Sequence, residues 1–236
     1  MQTTTSKEDY FRPDESNQDP TEGIEQINQE FIQRIDEKDY PCVGAKSALH
    51  TKQYRLGSYG KMGEPDTTLR LAEALKTYIQ ETLTSNSKYM TMVAVFDDEV
   101  TSEIEFEKKL WTQLQALHDV DRDTAWDSTV SNNPEDPNFS FSFNGSAFFV
   151  VGLHPNASRK ARQFSSPAMA FNLHHQFEKL REDGVYDKMK KVIREREIAF
   201  DGGINPMLTD HGDGLEAPQY SGRKVDAGWK CPFHHH

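Results

Sequence analysis

Residues 139–153 read Phe-Ser-Phe-Ser-Phe-Asn-Gly-Ser-Ala-Phe-Phe-Val-Val-Gly-Leu, and this stretch decides the fold. Phe139, Phe141 and Phe143 alternate with serines, as in a strand with one apolar face. Asn144-Gly145 is a strong two-residue hairpin signal, because both residues tolerate the positive φ that a tight turn needs. Ala147-Phe148-Phe149-Val150-Val151 then returns as the second arm.

Outward from the hairpin, strands and helices mix. Ala168–Phe171 reads as a further short strand, and Phe177–Ile198 as mainly helical with a break at Gly184. Upstream, Tyr89–Phe96 is dense in β-branched and aromatic residues, and Tyr54–Tyr59 reads as another strand. A helix begins after Ser102, with Glu105 positioned for a capping box and Phe106, Leu110, Leu114 and Leu117 on one side. Another opens at Pro65 with an expected apolar stripe of Leu69, Ala72, Leu75, Ile79 and Leu83. Ile24, Ile27, Phe31 and Ile35 mark an amphipathic helix that Asp39-Tyr40-Pro41 stops, and residues 118–138 read as a polar loop. The expectation is an α+β fold, a small mixed or antiparallel sheet with packed helices, in a single domain over residues 21–233. Residues 1–20, polar and carrying two prolines, are expected to be disordered.

The 236 residues carry a net charge of −11, and the apolar share is only 35%. Such an acidic chain repels phosphate backbones, which argues against a nucleic-acid partner. No stretch approaches the roughly 18 apolar residues of a membrane span, and the N-terminus lacks a signal-peptide layout, so the cytoplasm is expected. Two cysteines, Cys42 and Cys231, exclude a disulfide-rich scaffold and a four-cysteine zinc site. His234, His235 and His236 are not counted among the candidate site residues.

Four places carry chemistry. Cys42, in Tyr40-Pro41-Cys42-Val43-Gly44-Ala45, stands at a helix start, where the dipole and free N–H groups favour a thiolate. A buried structural thiol is the commoner role for such a residue. His154, at the end of an apolar strand, offers an imidazole, and Arg159 and Arg162 are spaced to clamp carboxylates; a surface turn with two solvated arginines explains them equally well. His174 and Glu178 are spaced i,i+4 as a metal pair, although no further ligand is evident and Asn172 as a helix cap is the plainer reading. In the C-terminal run, Glu216 suits a cationic amine, Tyr220 and Arg223 sit among turn formers, and Trp229, Phe233 and Tyr220 indicate that the run docks. There is no Gly-rich phosphate loop, Rossmann fingerprint or nucleophile elbow.

Three ordered blocks carry a resemblance: PCVGAKSA; GLHPNASRKAR with FNLHHQFEKLR; and NPMLTDHG, EAPQYSGR and WKCPF. Over residues 38–233 the chain resembles the YqcI/YcgG family. The resemblance implies a haem b-dependent enzyme of natural-product pathways that hydroxylates a guanidine or amine nitrogen of an amino-acid-like molecule. Electrons would come from a redox partner protein, or peroxide would serve as oxidant. It makes Cys42 the expected iron ligand, since a thiolate favours O–O cleavage, with His154 and Cys231 as rivals. Arg159 or Arg162 would meet the haem propionates and His174 would lie in the cofactor group, while Glu216, Tyr220 and Arg223 would border the substrate. Two other readings stand beside it: a haem-binding or haem-sensing protein without turnover, and an interaction protein whose two cysteines form one bridge.

Overall fold

The computed structural model describes residues 10–15, 20–85 and 87–235. In chain order the elements are α1 (Glu22–Asp36), α2 (Val43–His50), β1 (Tyr54–Tyr59), α3 (Pro65–Thr84), β2 (Thr91–Phe96), α4 (Glu103–Asp121), β3 (Phe141–Phe143) and β4 (Ser146–Leu153). After a 3-10 turn at Lys160–Arg162 come β5 (Ala168–Leu173), α5 (His174–Glu182), α6 (Tyr186–Asp201) and the short α7 (Ala217–Tyr220). One five-stranded sheet runs β1-β2-β5-β4-β3. β1 and β2 are parallel, joined across α3, and every other pair is antiparallel. The fold is α+β with a mixed sheet.

β2 shows how the sequence builds two cores. Its alternate residues Met92, Ala94 and Phe96 join one cluster, under α3, α4 and the C-terminal run. Val93 and Val95 join the other, with Phe31 and Ile35 of α1 and Leu56 of β1. A strand buried on both faces needs no polar alternation, which is why this segment reads as continuously apolar. Each large side chain buried this way contributes roughly 1.5–3 kcal/mol.

The hairpin turns where expected, with Asn144 at φ 49° and Gly145 at φ 71°. α4 buries Phe106, Leu110, Leu114 and Leu117 completely. Its cap is a shifted capping box: Ser102 Oγ accepts from Glu105 N–H, whereas the Glu105 carboxylate reaches Thr101 N–H rather than that of Ser102. The α3 stripe differs from expectation. Leu69 and Leu83 are more than half exposed, and the buried face is Leu71, Ala72, Ala74, Leu75, Tyr78 and Ile79. Tyr78 decides that rotation, because its hydroxyl donates to the Met90 carbonyl at the entrance to β2 (2.9 Å). Asn172 does not cap α5; its amide donates to the Phe149 carbonyl across the sheet.

Of the expected disordered segment 1–20, residues 1–9 and 16–19 lie outside the described residues. Tyr10–Glu15 lie along β1, with Phe11 paired to Leu56. Glu81 of α3 anchors them, accepting from Arg55 (2.6 Å), Arg12 (2.7 Å) and Tyr10 (2.9 Å).

The C-terminal run is docked by two clamps. At the first, the Tyr220 hydroxyl accepts from Phe141 N–H (3.0 Å) and directs its one proton towards Glu216 Oε1 (2.6 Å) and the Phe148 carbonyl (3.0 Å). Gly152 permits this close packing, since a Cβ there would meet Phe106 at 2.5 Å and the Tyr220 carbonyl at 2.8 Å. At the second, Glu107 of α4 receives Arg223 through Nη2 (2.6 Å) and Nε (3.1 Å), Trp229 Nε1 (3.1 Å) and Ser221 Oγ (2.9 Å). All the acceptor capacity of a buried carboxylate goes into fixing one strand of chain. Arg223 is therefore a fastening and is not free to meet a substrate. Glu107→Gln leaves the guanidinium short of its counter-charge and should cost about 2–4 kcal/mol in urea unfolding, with a red shift of Trp229 emission. A loss below about 0.5 kcal/mol with unchanged emission would contradict the clamp.

Candidate functional site

The expected iron ligands and cofactor contacts separate into three neighbourhoods, with Cys231 apart from them near Glu107. Cys42 caps α2, its Sγ accepting from Ala45 N–H at 3.3 Å, so the helix-start geometry is present. The thiol is nonetheless pushed above the ordinary cysteine range: crowding by the surrounding protein, with Glu197 nearby, outweighs the Ala45 and Gly44 N–H groups and Arg162. The residue itself is exposed, and its open surface keeps part of the sulfur's hydration and limits that rise. Cys231 is worse placed for a thiolate, since burial pushes it up to about 12. Both thiols are free, which removes the reading that pairs them in one bridge.

Arg159 and Arg162 are not solvated, and their partners are internal. Arg159 pairs with Asp201 (3.0 Å) and Glu197 (3.3 Å) of α6. Arg162 donates to the carbonyls of Gly152 (3.0 Å), Tyr220 (3.2 Å) and Gln219 (3.1 Å), tying α7 to the end of β4. Arg159 already holds two carboxylates, so a propionate clamp there would have to displace both.

His154 is fully buried and stacks on Phe106, with ring centroids 4.4 Å apart. Neither ring nitrogen has a hydrogen-bond partner. A buried, unmade hydrogen bond costs about 1–3 kcal/mol, so two on one ring call for a reason. Burial pulls the imidazole down to about 4, which keeps it neutral, the form that ligates metals. The next residue, Pro155, lines a cavity of about 470 Å³ together with Asp97, Asp98, Glu99, Thr101 and Ser166. Asn156 fixes this turn to the cavity wall by donating to the Val100 carbonyl (2.6 Å). Asp98 is spoken for by Lys109 (2.7 Å) and Met62 N–H (2.8 Å). Asp97 and Glu99 are exposed and have no ion-pair partner among the described residues, which leaves the mouth negative.

The third neighbourhood assembles His174, His211 and Glu216 from distant parts of the chain. His174 opens α5 directly after β5, His211 sits in the loop after α6, and Glu216 precedes α7. Ligand atoms of all three lie within 4.8 Å of one another. The two imidazoles meet edge to face at 4.5 Å, and His211 Nδ1 is 3.2 Å from Glu216 Oε2. Glu216 Oε1 is held from behind by Tyr220 (2.6 Å) and Ser140 Oγ (2.8 Å). His174 Nε2 is buried without a hydrogen bond. The expected partner Glu178 is 3.9 Å away and is engaged by Arg181. Burial, then the neighbouring His211, lowers the His174 pKa. The sequence reading named His174, Glu216 and Tyr220 but missed His211, whose Asp-His-Gly-Asp-Gly context was the available signal.

His154 makes stability pH-dependent. Its pKa falls from 6.5 unfolded to about 4 folded, so between those values the unfolded state binds more protons and stability declines as the pH drops. At about 1.4 kcal/mol per pH unit the loss approaches roughly 3 kcal/mol at the acid end. His174 and His175 act in the same direction, so the discriminating quantity is the difference between chains. Haem-free His154→Phe should lose clearly less stability than the parent between pH 6.5 and 4; parallel curves would contradict the buried neutral ring.

Among the described residues no helix is long and apolar enough to cross a membrane. The sequence profile of the YqcI/YcgG family matches residues 29–234. Two proteins of Bacillus subtilis (strain 168) are similar to this chain: uncharacterized protein YqcI and uncharacterized protein YcgG, each 28% identical over 209 residues. The match covers 84% of this chain and 81% and 82% of theirs, respectively. No solved structure matches. The profile spans every strand and all three chemical neighbourhoods, and the chain belongs to the YqcI/YcgG family.

Proposed function

We propose that this protein is a haem-dependent N-oxygenase acting on a guanidine or amine nitrogen of a small cationic molecule. The observation that supports it is the unpaired, neutral imidazole of His154, one residue along the chain from Pro155 in the wall of the acidic cavity. His154 holds the iron in this reading, in place of Cys42, because its nitrogen lone pair is available near neutral pH whereas both thiols are shifted upward, Cys231 to about 12.

When bound, haem supplies oxygen activation: either O2 with two electrons and two protons, or peroxide alone, places one oxygen on the substrate nitrogen and releases the other as water. The chain's own part is recognition. Asp97 and Glu99 present unpaired carboxylates to a cation and accept its N–H hydrogen bonds, which for charged partners contribute roughly 1.5–3 kcal/mol each. Phe96 and Pro167 supply the apolar part of the wall. Reducing equivalents come from a redox partner protein when O2 is the oxidant.

Purified protein reconstituted with haem b should show a Soret band that survives Cys42→Ala and Cys231→Ala and is lost or displaced in His154→Ala. With arginine, lysine or an aromatic amine plus oxidant, an N-hydroxylated product should form. The Asp97→Asn, Glu99→Gln pair should raise KM about 10–100-fold, since two charge-assisted contacts go. A protein left colourless by haem would end this reading. A Soret band without product would instead make it a haem-binding protein without turnover.

A further inference from the structure

His174, His211 and Glu216 go unused in the oxygenase reading, yet they are more tightly organised than any other group of potential ligands among the described residues. Each comes with a reason to be a donor. His174 is 8% exposed at its side chain, and its Nε2 is buried with no hydrogen bond. Glu216 is 5% exposed, and Tyr220 and Ser140 occupy Oε1, so Oε2 is the atom turned towards the imidazoles. A carboxylate with one oxygen fixed from behind and the other presented forward has the support usual behind a metal ligand. His211 is 16% exposed and marks the side from which an ion enters.

The loop carrying His211 is fixed too. Gly212, at φ 87°, donates its N–H to the Pro137 carbonyl (3.0 Å), and Gln219 of α7 reaches back to Thr209 Oγ1 (3.0 Å). Three ligands on three chain segments, with the loop pinned on both sides of the histidine, make a preorganised group rather than a chance surface cluster.

We propose that His174, His211 and Glu216 form a binding site for a first-row divalent transition metal, separate from the His154 neighbourhood. Two imidazoles and one carboxylate are the donor set of three-coordinate protein sites that leave positions open for water or a ligand. It suits zinc or ferrous iron and is too nitrogen-rich for magnesium or calcium. Metal–ligand bonds of about 2.0–2.2 Å require the three donor atoms to draw in from their present separation. Metal binding couples this site to the fold, since Glu216 is tied through Tyr220 to β3 and β4.

The test uses the full chain without haem, with His234, His235 and His236 replaced by alanine in every sample, because three consecutive imidazoles bind the same ions. Titration with zinc chloride, followed by calorimetry, and with cobalt(II), followed by its ligand-field absorption, should give one equivalent bound. His211→Ala, a loop change on the exposed side, should weaken binding by about 100-fold or more; Tyr220→Phe, which loosens the support of Glu216, by about 10-fold. Zinc should raise the melting temperature of the parent chain and leave that of His211→Ala unchanged. A parent chain that melts cooperatively yet binds no stoichiometric zinc or cobalt overturns the proposal, as does equal affinity in His211→Ala. Neither outcome touches the Soret experiment. Loss of haem binding in His174→Ala with His154→Ala unaffected would also overturn it, because His174 would then belong to the haem.

Discussion

The hydroxyl of Tyr220 has one proton and three polar neighbours, and the organisation of this protein follows from how it satisfies them. It accepts from Phe141 N–H and faces the Phe148 carbonyl and Glu216 Oε1, all within 3.0 Å and away from water. The edge hairpin, the C-terminal run and a buried carboxylate therefore share one atom. Tyr220 sits 0% exposed, so each bond is made where an unmade one is costly. Burial and Glu216 together keep this phenol protonated far above its ordinary range, so the donor is permanent. Without the docked C-terminus, neither Glu216 nor His211 would face His174.

The same logic bears on Cys42, for which the resemblance implies the iron-ligand role. A helix N-terminus lowers a thiol pKa only where the surrounding protein does not crowd the sulfur, and here crowding outweighs two N–H donors and a guanidinium. Burial acts on imidazole in the opposite chemical sense. It disfavours the protonated form of His154, down to about 4, and shifts His174 in the same direction. In this fold, desolvation raises both thiols and lowers both imidazoles.

Local chemistry made most of the fold legible. The Asn144-Gly145 turn, the all-apolar β2, the α4 face and the Gly184 break were readable because neighbouring residues determine them. The α3 stripe was misjudged where Leu69 and Leu83, good apolar candidates by spacing, lost to a face rotated to place the Tyr78 hydroxyl on Met90. The parallel pairing of β1 with β2 was not readable, since it depends on a crossover whose partner strand no local signal names. For the site, His154, His174, Glu216 and Tyr220 were identifiable by residue type and context. His211 had its Asp-His-Gly-Asp-Gly context as a signal, but only the docking of the run after α6 brings it to His174. Arg159 and Arg162 read as carboxylate clamps in sequence and Arg223 as a substrate neighbour, yet they fasten α6, α7 and Glu107. An arginine's partner is a property of the tertiary structure.

The central proposal is that a buried neutral imidazole, and not a cysteine thiolate, holds the iron. Nitrogen NMR of protein labelled at its histidine rings tests it most directly, with the His154 signals followed against pH and after adding haem. The account requires a neutral His154 ring until the pH approaches about 4 and a large perturbation of its signals by haem. A His154 ring that titrates near 6.5 and is unmoved by haem, with the iron found on sulfur, would contradict it.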